Sequence, residues 1–136
     1  MRVVIDTNQL LTCFSVRSKS HWLWQAFKNQ EFELCVTTEI LDEYAEIFER
    51  KYNFEIAELI LDIILESPNI VLIKEYFFWG LIKEDPDDNK FVDCALMANA
   101  SCIVTEDKHF NVLQSIPFPK INALKLEEFK HILEKD

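Results

Sequence analysis

The sequence predicts an α/β protein, a three-layer α/β/α sandwich around a mainly parallel central sheet of about five strands. Three observations predict it. Short β-branched runs alternate with segments whose apolar residues recur every three or four positions, as in strands joined by helical crossovers. The chain has 136 residues, 49% hydrophobic and 28% charged, which suits one domain over residues 1–136 with a sizeable core. It holds a single glycine, Gly80. Phosphate-cradling loops, dinucleotide-binding turns and the hydrolase nucleophile elbow all need more than one, so those three classes are excluded.

Taken in order, Val3-Val4-Ile5 reads as a strand buried on both faces and closed by Asp6. Asp6-Thr7-Asn8 reads by itself as a turn, because Asp and Asn bond their own backbone. Ser20 caps a helix over about 21–30, with Trp22, Leu23, Ala26 and Phe27 at helical spacing. Phe32 to Val36 is a second strand. Thr37 and Thr38 offer caps for a helix over about 39–50, and Ile56, Leu59, Ile60, Ile63 and Ile64 mark another over about 54–66. Ile70 to Ile73 is a third strand. From Glu75 to Asp87 the pattern is irregular, and Pro86 holds Asp85 extended. Asp88 starts a helix over about 88–99. Ile103-Val104-Thr105 is a fourth strand, followed by a short helix near 107–114, a fifth strand over Ile121 to Leu124 and a closing helix from Glu127 to Leu133.

The formal net charge is -10, which argues against a module that coats nucleic acid by bulk charge. Most of the excess acid reads as a solvated surface; some of it reads as carboxylates converging on a hard cation. The cysteines, Cys13, Cys35, Cys94 and Cys102, have no C-x-x-C spacing, and His21, His109 and His131 are scattered, so zinc is not expected. The N-terminus shows no signal pattern and no apolar run has membrane-span length. The expectation is a cytoplasmic, reduced protein with no membrane contact.

Ligands in open parallel sheets bind beyond the carboxyl ends of the strands, and acids recur there. Asp6 ends the first strand, Glu106 and Asp107 follow the fourth, Asp88 opens the helix leading into the fourth, and Glu43 lies one turn into the helix after the second. Converging carboxylates repel unless a cation neutralises them. Oxygen donors without a Cys or His cluster favour Mg²⁺ or Mn²⁺. Such a site activates water and clamps a phosphodiester. Singly, each motif has a plainer reading: Asp87-Asp88 as a helix cap, and Glu43 among Glu39, Asp42, Glu46 and Glu49 as a solvated helix face.

Together these motifs resemble the PIN domain family, metal-dependent ribonucleases that include the toxins of VapC-type toxin–antitoxin pairs. Val4-Ile5-Asp6-Thr7-Asn8 is similar to the family's first-strand motif, and Leu41-Asp42-Glu43 to its second acidic position. Asp85-Pro86-Asp87-Asp88-Asn89-Lys90-Phe91 resembles a subgroup described as toxin components. Val104-Thr105-Glu106-Asp107 is similar to the final motif. The resemblance implies Asp6, Glu43, Asp88 and Asp107 as catalytic metal ligands, with Asn8 and Thr105 supporting. Asp93 stands where many VapC-type toxins carry a small apolar residue, and reads either as a ligand for a second metal or as a surface acid. Glu106 adds negative charge beside the site.

Residues 7–30 and 108–126 contain no acid and carry three cations each. Arg17, Lys19 and Lys108 are therefore the candidates to hold an RNA backbone. Tyr76-Phe77-Phe78-Trp79 cannot all face one side, which leaves part of the run for a partner or second subunit. The resemblance implies a homodimer and a cognate antitoxin. The expected function is a Mg²⁺- or Mn²⁺-dependent endoribonuclease. The alternative is a PIN-like binding or assembly module without turnover. A Mg²⁺-dependent phosphatase is disfavoured, because Asp6-Thr7-Asn8 lacks the second Asp of that nucleophile motif.

Overall fold

A computed structural model describes residues 1–74 and 77–135; Glu75 and Tyr76, and with Tyr76 the start of the aromatic run, lie outside the described residues. The elements are β1 (Arg2–Ile5), α1 (Thr7–Phe14), α2 (His21–Lys28), β2 (Glu33–Val36), α3 (Thr38–Lys51), α4 (Phe54–Glu66) and β3 (Ile70–Leu72). A 3-10 turn (Pro86–Asp88) leads into α5 (Asn89–Ala98), then β4 (Cys102–Val104), a 3-10 helix (Lys108–Ser115), β5 (Ala123–Leu124) and α6 (Leu126–Lys135).

The strands form one wholly parallel sheet in the order β3-β2-β1-β4-β5. β1 lies at its centre because Val3, Val4 and Ile5 are fully buried, and β4 pairs with it through Val3↔Cys102, Val4↔Ile103 and Ile5↔Val104. From β1 the chain moves outward to β2 and β3, then returns through α5 to β4 on the other side of β1. The direction of winding therefore reverses between β1 and β4. At such a reversal the two connections leave a crevice beyond the carboxyl ends of the strands.

Local chemistry accounts for several of the element ends. The Thr37 hydroxyl accepts from the Ile40 N–H at 3.2 Å, and Asn53 accepts from the Ile56 N–H at 2.8 Å, each satisfying an otherwise orphaned donor of α3 or α4. Asn99, left-handed at φ 53°, closes α5. Ser20 does precede α2, but its hydroxyl is paired with that of Ser18 instead of capping the helix.

The turn read at Asp6-Thr7-Asn8 is in fact the start of α1. The Asp6 carbonyl accepts from the N–H groups of Gln9 and Leu10 at 3.0 and 3.1 Å, and Leu10, Cys13 and Phe14 turn toward the core. An eight-residue helix with so few apolar repeats leaves a weak periodic signal. The fifth strand is shorter than expected, Ala123–Leu124 alone.

All four cysteines are free and buried, and burial pushes the Cys13 and Cys102 thiols up to about 12. The segment over 77–85 forms no helix or strand, yet α5 clips it down. Asn89 both donates to the Ile82 carbonyl and accepts from the Ile82 N–H, each at 2.8 Å, and Asp93 accepts from the Trp79 N–H at 3.1 Å. No helix among the described residues is long and apolar enough to cross a membrane.

Candidate metal centre

The crevice between the ends of β1 and β4 gathers carboxylates from segments far apart in sequence. Asp6 extends β1 by one residue, donating its N–H to the Val104 carbonyl at 3.1 Å, so its side chain emerges at the sheet's carboxyl edge. The buried Thr105 hydroxyl, one residue beyond β4, donates to Asp6 Oδ2 at 2.8 Å and accepts from the Asp107 N–H at 3.0 Å. One hydroxyl thus fixes both acids relative to each other. Asp107 in turn caps the 3-10 helix, its Oδ1 accepting from the His109 N–H at 2.9 Å.

Asp88 arrives from the opposite side of the crevice, at the junction of the 3-10 turn and α5, and is only 9% exposed. Its Oδ2 is buried without a hydrogen-bond partner. Burial, and then the nearby charges of Asp107, Asp85 and Asp6, push the Asp88 carboxyl up to about 7. Burial also raises the Asp6 carboxyl; the Thr105 hydroxyl and the Asn8 N–H pull it back, while Asp107 and Glu43 add repulsion. The cluster is therefore short of positive charge.

Glu43 reaches the same region from α3 but has partners of its own. The Thr7 hydroxyl donates to its Oε2, and Lys90 Nζ lies 2.7 Å from its Oε1. Behind it, the buried Tyr44 hydroxyl donates to the Ile5 carbonyl at 2.6 Å and fastens α3 to the end of β1. Among the described residues, Asp85, Asp88, Asp107 and His109 each offer an atom within 4.8 Å of the others.

Several sequence-predicted residues lie elsewhere. Asp93 is buried on α5 and accepts from the Trp79 N–H through Oδ1. Burial raises its carboxyl. Glu106 turns away and accepts from the Leu126 N–H at 2.9 Å, starting α6. Asn8 is exposed on the first turn of α1. Arg17 and Lys19 are exposed beyond the far end of α1, about 12 Å of helix from Asp6. Lys108 is exposed directly beside Asp107.

Sequence reasoning passed over Asp85, His109, Lys90, Thr7 and Tyr44. His109 carried a usable signal, two residues after Asp107 where a turn brings the ring back over the carboxylate. Lys90 and Tyr44 carried none, since their partners are 47 and 39 residues away.

A family model described as PIN domain matches residues 2–109. No curated protein matches the chain. The solved structure of VapBC2 from Rickettsia felis, bound to a DNA fragment from its promoter, is similar in fold. Its TM-score is 0.64 at 16% identity, and the similarity covers 92% of this chain and 98% of that one.

Proposed function

The chain belongs to the PIN domain family, and from that premise we propose that it is a metal-dependent endoribonuclease hydrolysing RNA phosphodiester bonds, the toxin of a toxin–antitoxin pair. The observation that carries the reading is the meeting of Asp6, Asp88 and Asp107 at one crevice, with Asp88 buried, its Oδ2 without a hydrogen-bond partner and its carboxyl raised to about 7. The likeness in fold to VapBC2 supports the antitoxin as partner. A second copy of the chain and an RNA substrate complete the proposed partners.

The donor set fits a divalent cation. It offers several carboxylate oxygens, an orphaned buried oxygen on Asp88, and repulsion that a double positive charge relieves. Mg²⁺ or Mn²⁺ is the ion the oxygens favour, and when bound it supplies Lewis-acid activation of water and neutralises the phosphodiester. Asp6, Asp88 and Asp107 would hold it, with Glu43 at the rim.

The remaining work falls to the chain's own groups. Thr105 keeps Asp6 and Asp107 in register through its two hydrogen bonds. Lys90 holds Glu43 in place. Lys108, exposed next to Asp107, positions an RNA phosphate, with Arg17 and Lys19 reaching phosphates farther along the strand.

Asp6→Asn and Asp88→Asn should each abolish Mg²⁺- or Mn²⁺-dependent cleavage of single-stranded RNA while circular dichroism stays that of the parent. Variants that cut as fast as the parent would remove these residues from the site. A parent inactive on several RNAs with both ions returns the protein to the binding-module reading.

A further inference from the structure

Two segments face each other across the candidate centre: the chain entering α5, with Asp85 and Asp88, and the chain leaving β4, with Asp107 and His109. His109 Nδ1 lies 3.3 Å from Asp107 Oδ1, 3.6 Å from Asp88 Oδ2 and 3.7 Å from Asp85 Oδ2. Among the described residues, the buried side-chain nitrogen and oxygen atoms that lack a hydrogen-bond partner are His109 Nδ1 and Asp88 Oδ2. They are neighbours. A buried donor or acceptor left unpaired is costly, and two such atoms 3.6 Å apart point to one ligand satisfying both.

The spacing suits a cation. Ligands about 2.1 Å from an octahedral ion stand about 3.0 Å apart when adjacent and about 4.2 Å when opposite. The observed donor atoms, at 3.3 to 3.7 Å around the ring nitrogen and all within 4.8 Å of one another, form a slightly opened version of that cage. Closing it takes shifts of a few tenths of an ångström.

We propose that His109 Nδ1 and Asp85 join Asp88 and Asp107 as ligands of one divalent cation, making a mixed nitrogen–oxygen centre that prefers Mn²⁺ to Mg²⁺. The proposal rests on the metal-centre reading above and adds to it the nitrogen ligand and the ion preference. Mg²⁺ takes oxygen donors, whereas an imidazole raises affinity for first-row transition ions. The ring is oriented for the task. Its backbone N–H is held by Asp107 Oδ1 at 2.9 Å, and its Nε2 faces Glu84 Oε2 at 3.8 Å. Metal-bound histidines commonly give their other ring nitrogen to a carboxylate, and Glu84 stands on that side of the ring.

The test is Mn²⁺ titration of the metal-free full chain, read by electron spin-echo spectroscopy and by binding isotherms. The parent should show histidine nitrogen coupled to Mn²⁺. His109→Gln should lose that coupling and bind Mn²⁺ at least about tenfold more weakly, while Mg²⁺ affinity changes little. Bound Mn²⁺ without nitrogen coupling in the parent, or coupling that persists in His109→Gln, would overturn the inference and leave the carboxylate centre standing. No Mn²⁺ binding at all would overturn it too. RNA cleavage with Mg²⁺, measured on the same parent preparation, reports separately on the nuclease reading. The parent's own spectrum requires no variant to fold.

Discussion

Asp88 carries the sharpest consequence at the scale of a single residue. Its folded carboxyl is raised to about 7 from an unfolded value of 3.8. Between those values the folded state holds a proton that the unfolded state has released. Stability of the metal-free protein is therefore greatest below the unfolded value and is lost as pH rises toward 7. Within the window where general acid unfolding has not begun, the chain in EDTA should melt several degrees higher at pH 5.5 than at pH 7.5. Asp88→Asn removes the titrating group and should flatten that difference. A parent with equal melting temperatures at both pH values would mean that Asp88 meets neither the burial nor the repulsion described. Divalent metal should close the gap as well, because the cation takes the place of the missing proton.

At the scale of elements, two fastenings hold the parts that frame the crevice. The Tyr44 hydroxyl ties α3 to the last carbonyl of β1, next to Asp6. Both groups are buried, so Tyr44→Phe strands the Ile5 carbonyl and should lower stability by about 1–3 kcal/mol. Denaturant unfolding followed by circular dichroism measures it, and a loss below about 0.5 kcal/mol would make the bond incidental. The second fastening is the pair of hydrogen bonds from Asn89 to Ile82, one residue from Asp88. Asn89→Ala removes those two bonds and loosens the segment over 77–85 without touching the sheet, leaving the Asp93 bond to the Trp79 N–H in place. Limited proteolysis should then cut that segment faster while the strands stay protected from hydrogen exchange. Uniform loss of protection would show instead that the clip supports the whole domain.

For the molecule as a whole, charge sets the terms on which the proposed RNA substrate would be met. A net charge of -10 opposes a polyanion, and six of the fourteen cations sit in two acid-free stretches, residues 7–30 and 108–126. Few phosphate contacts are then available, and affinity for single-stranded RNA should fall only shallowly with salt, by about 0.7 in log–log slope per phosphate neutralised. Lys108→Ala should weaken binding with little regard to sequence and lower that slope by one such step. If neither changes, Lys108 is a surface lysine and the backbone runs elsewhere.

Much of this architecture was written in the order of the residues. Fully buried parallel strands need unbroken β-branched runs, and β1 and β4 have them; α4 falls where its isoleucines recur, over Phe54–Glu66. The acids at the strand ends were legible for the same reason, since a parallel sheet exposes its carboxyl edge and the chain must turn there. What the sequence by itself determined is thus the α/β class, the parallel sheet and the edge at which Asp6, Asp88 and Asp107 meet. Only the tertiary structure decided which neighbours those acids have. It gave Glu43 to Lys90 and Thr7, Asp93 to the Trp79 N–H and Glu106 to α6, and it set His109 facing Asp88. Periodicity records which side of an element is buried. It does not record the few ångströms between side chains on different elements, and hydrogen bonding and electrostatic coupling are decided at that distance.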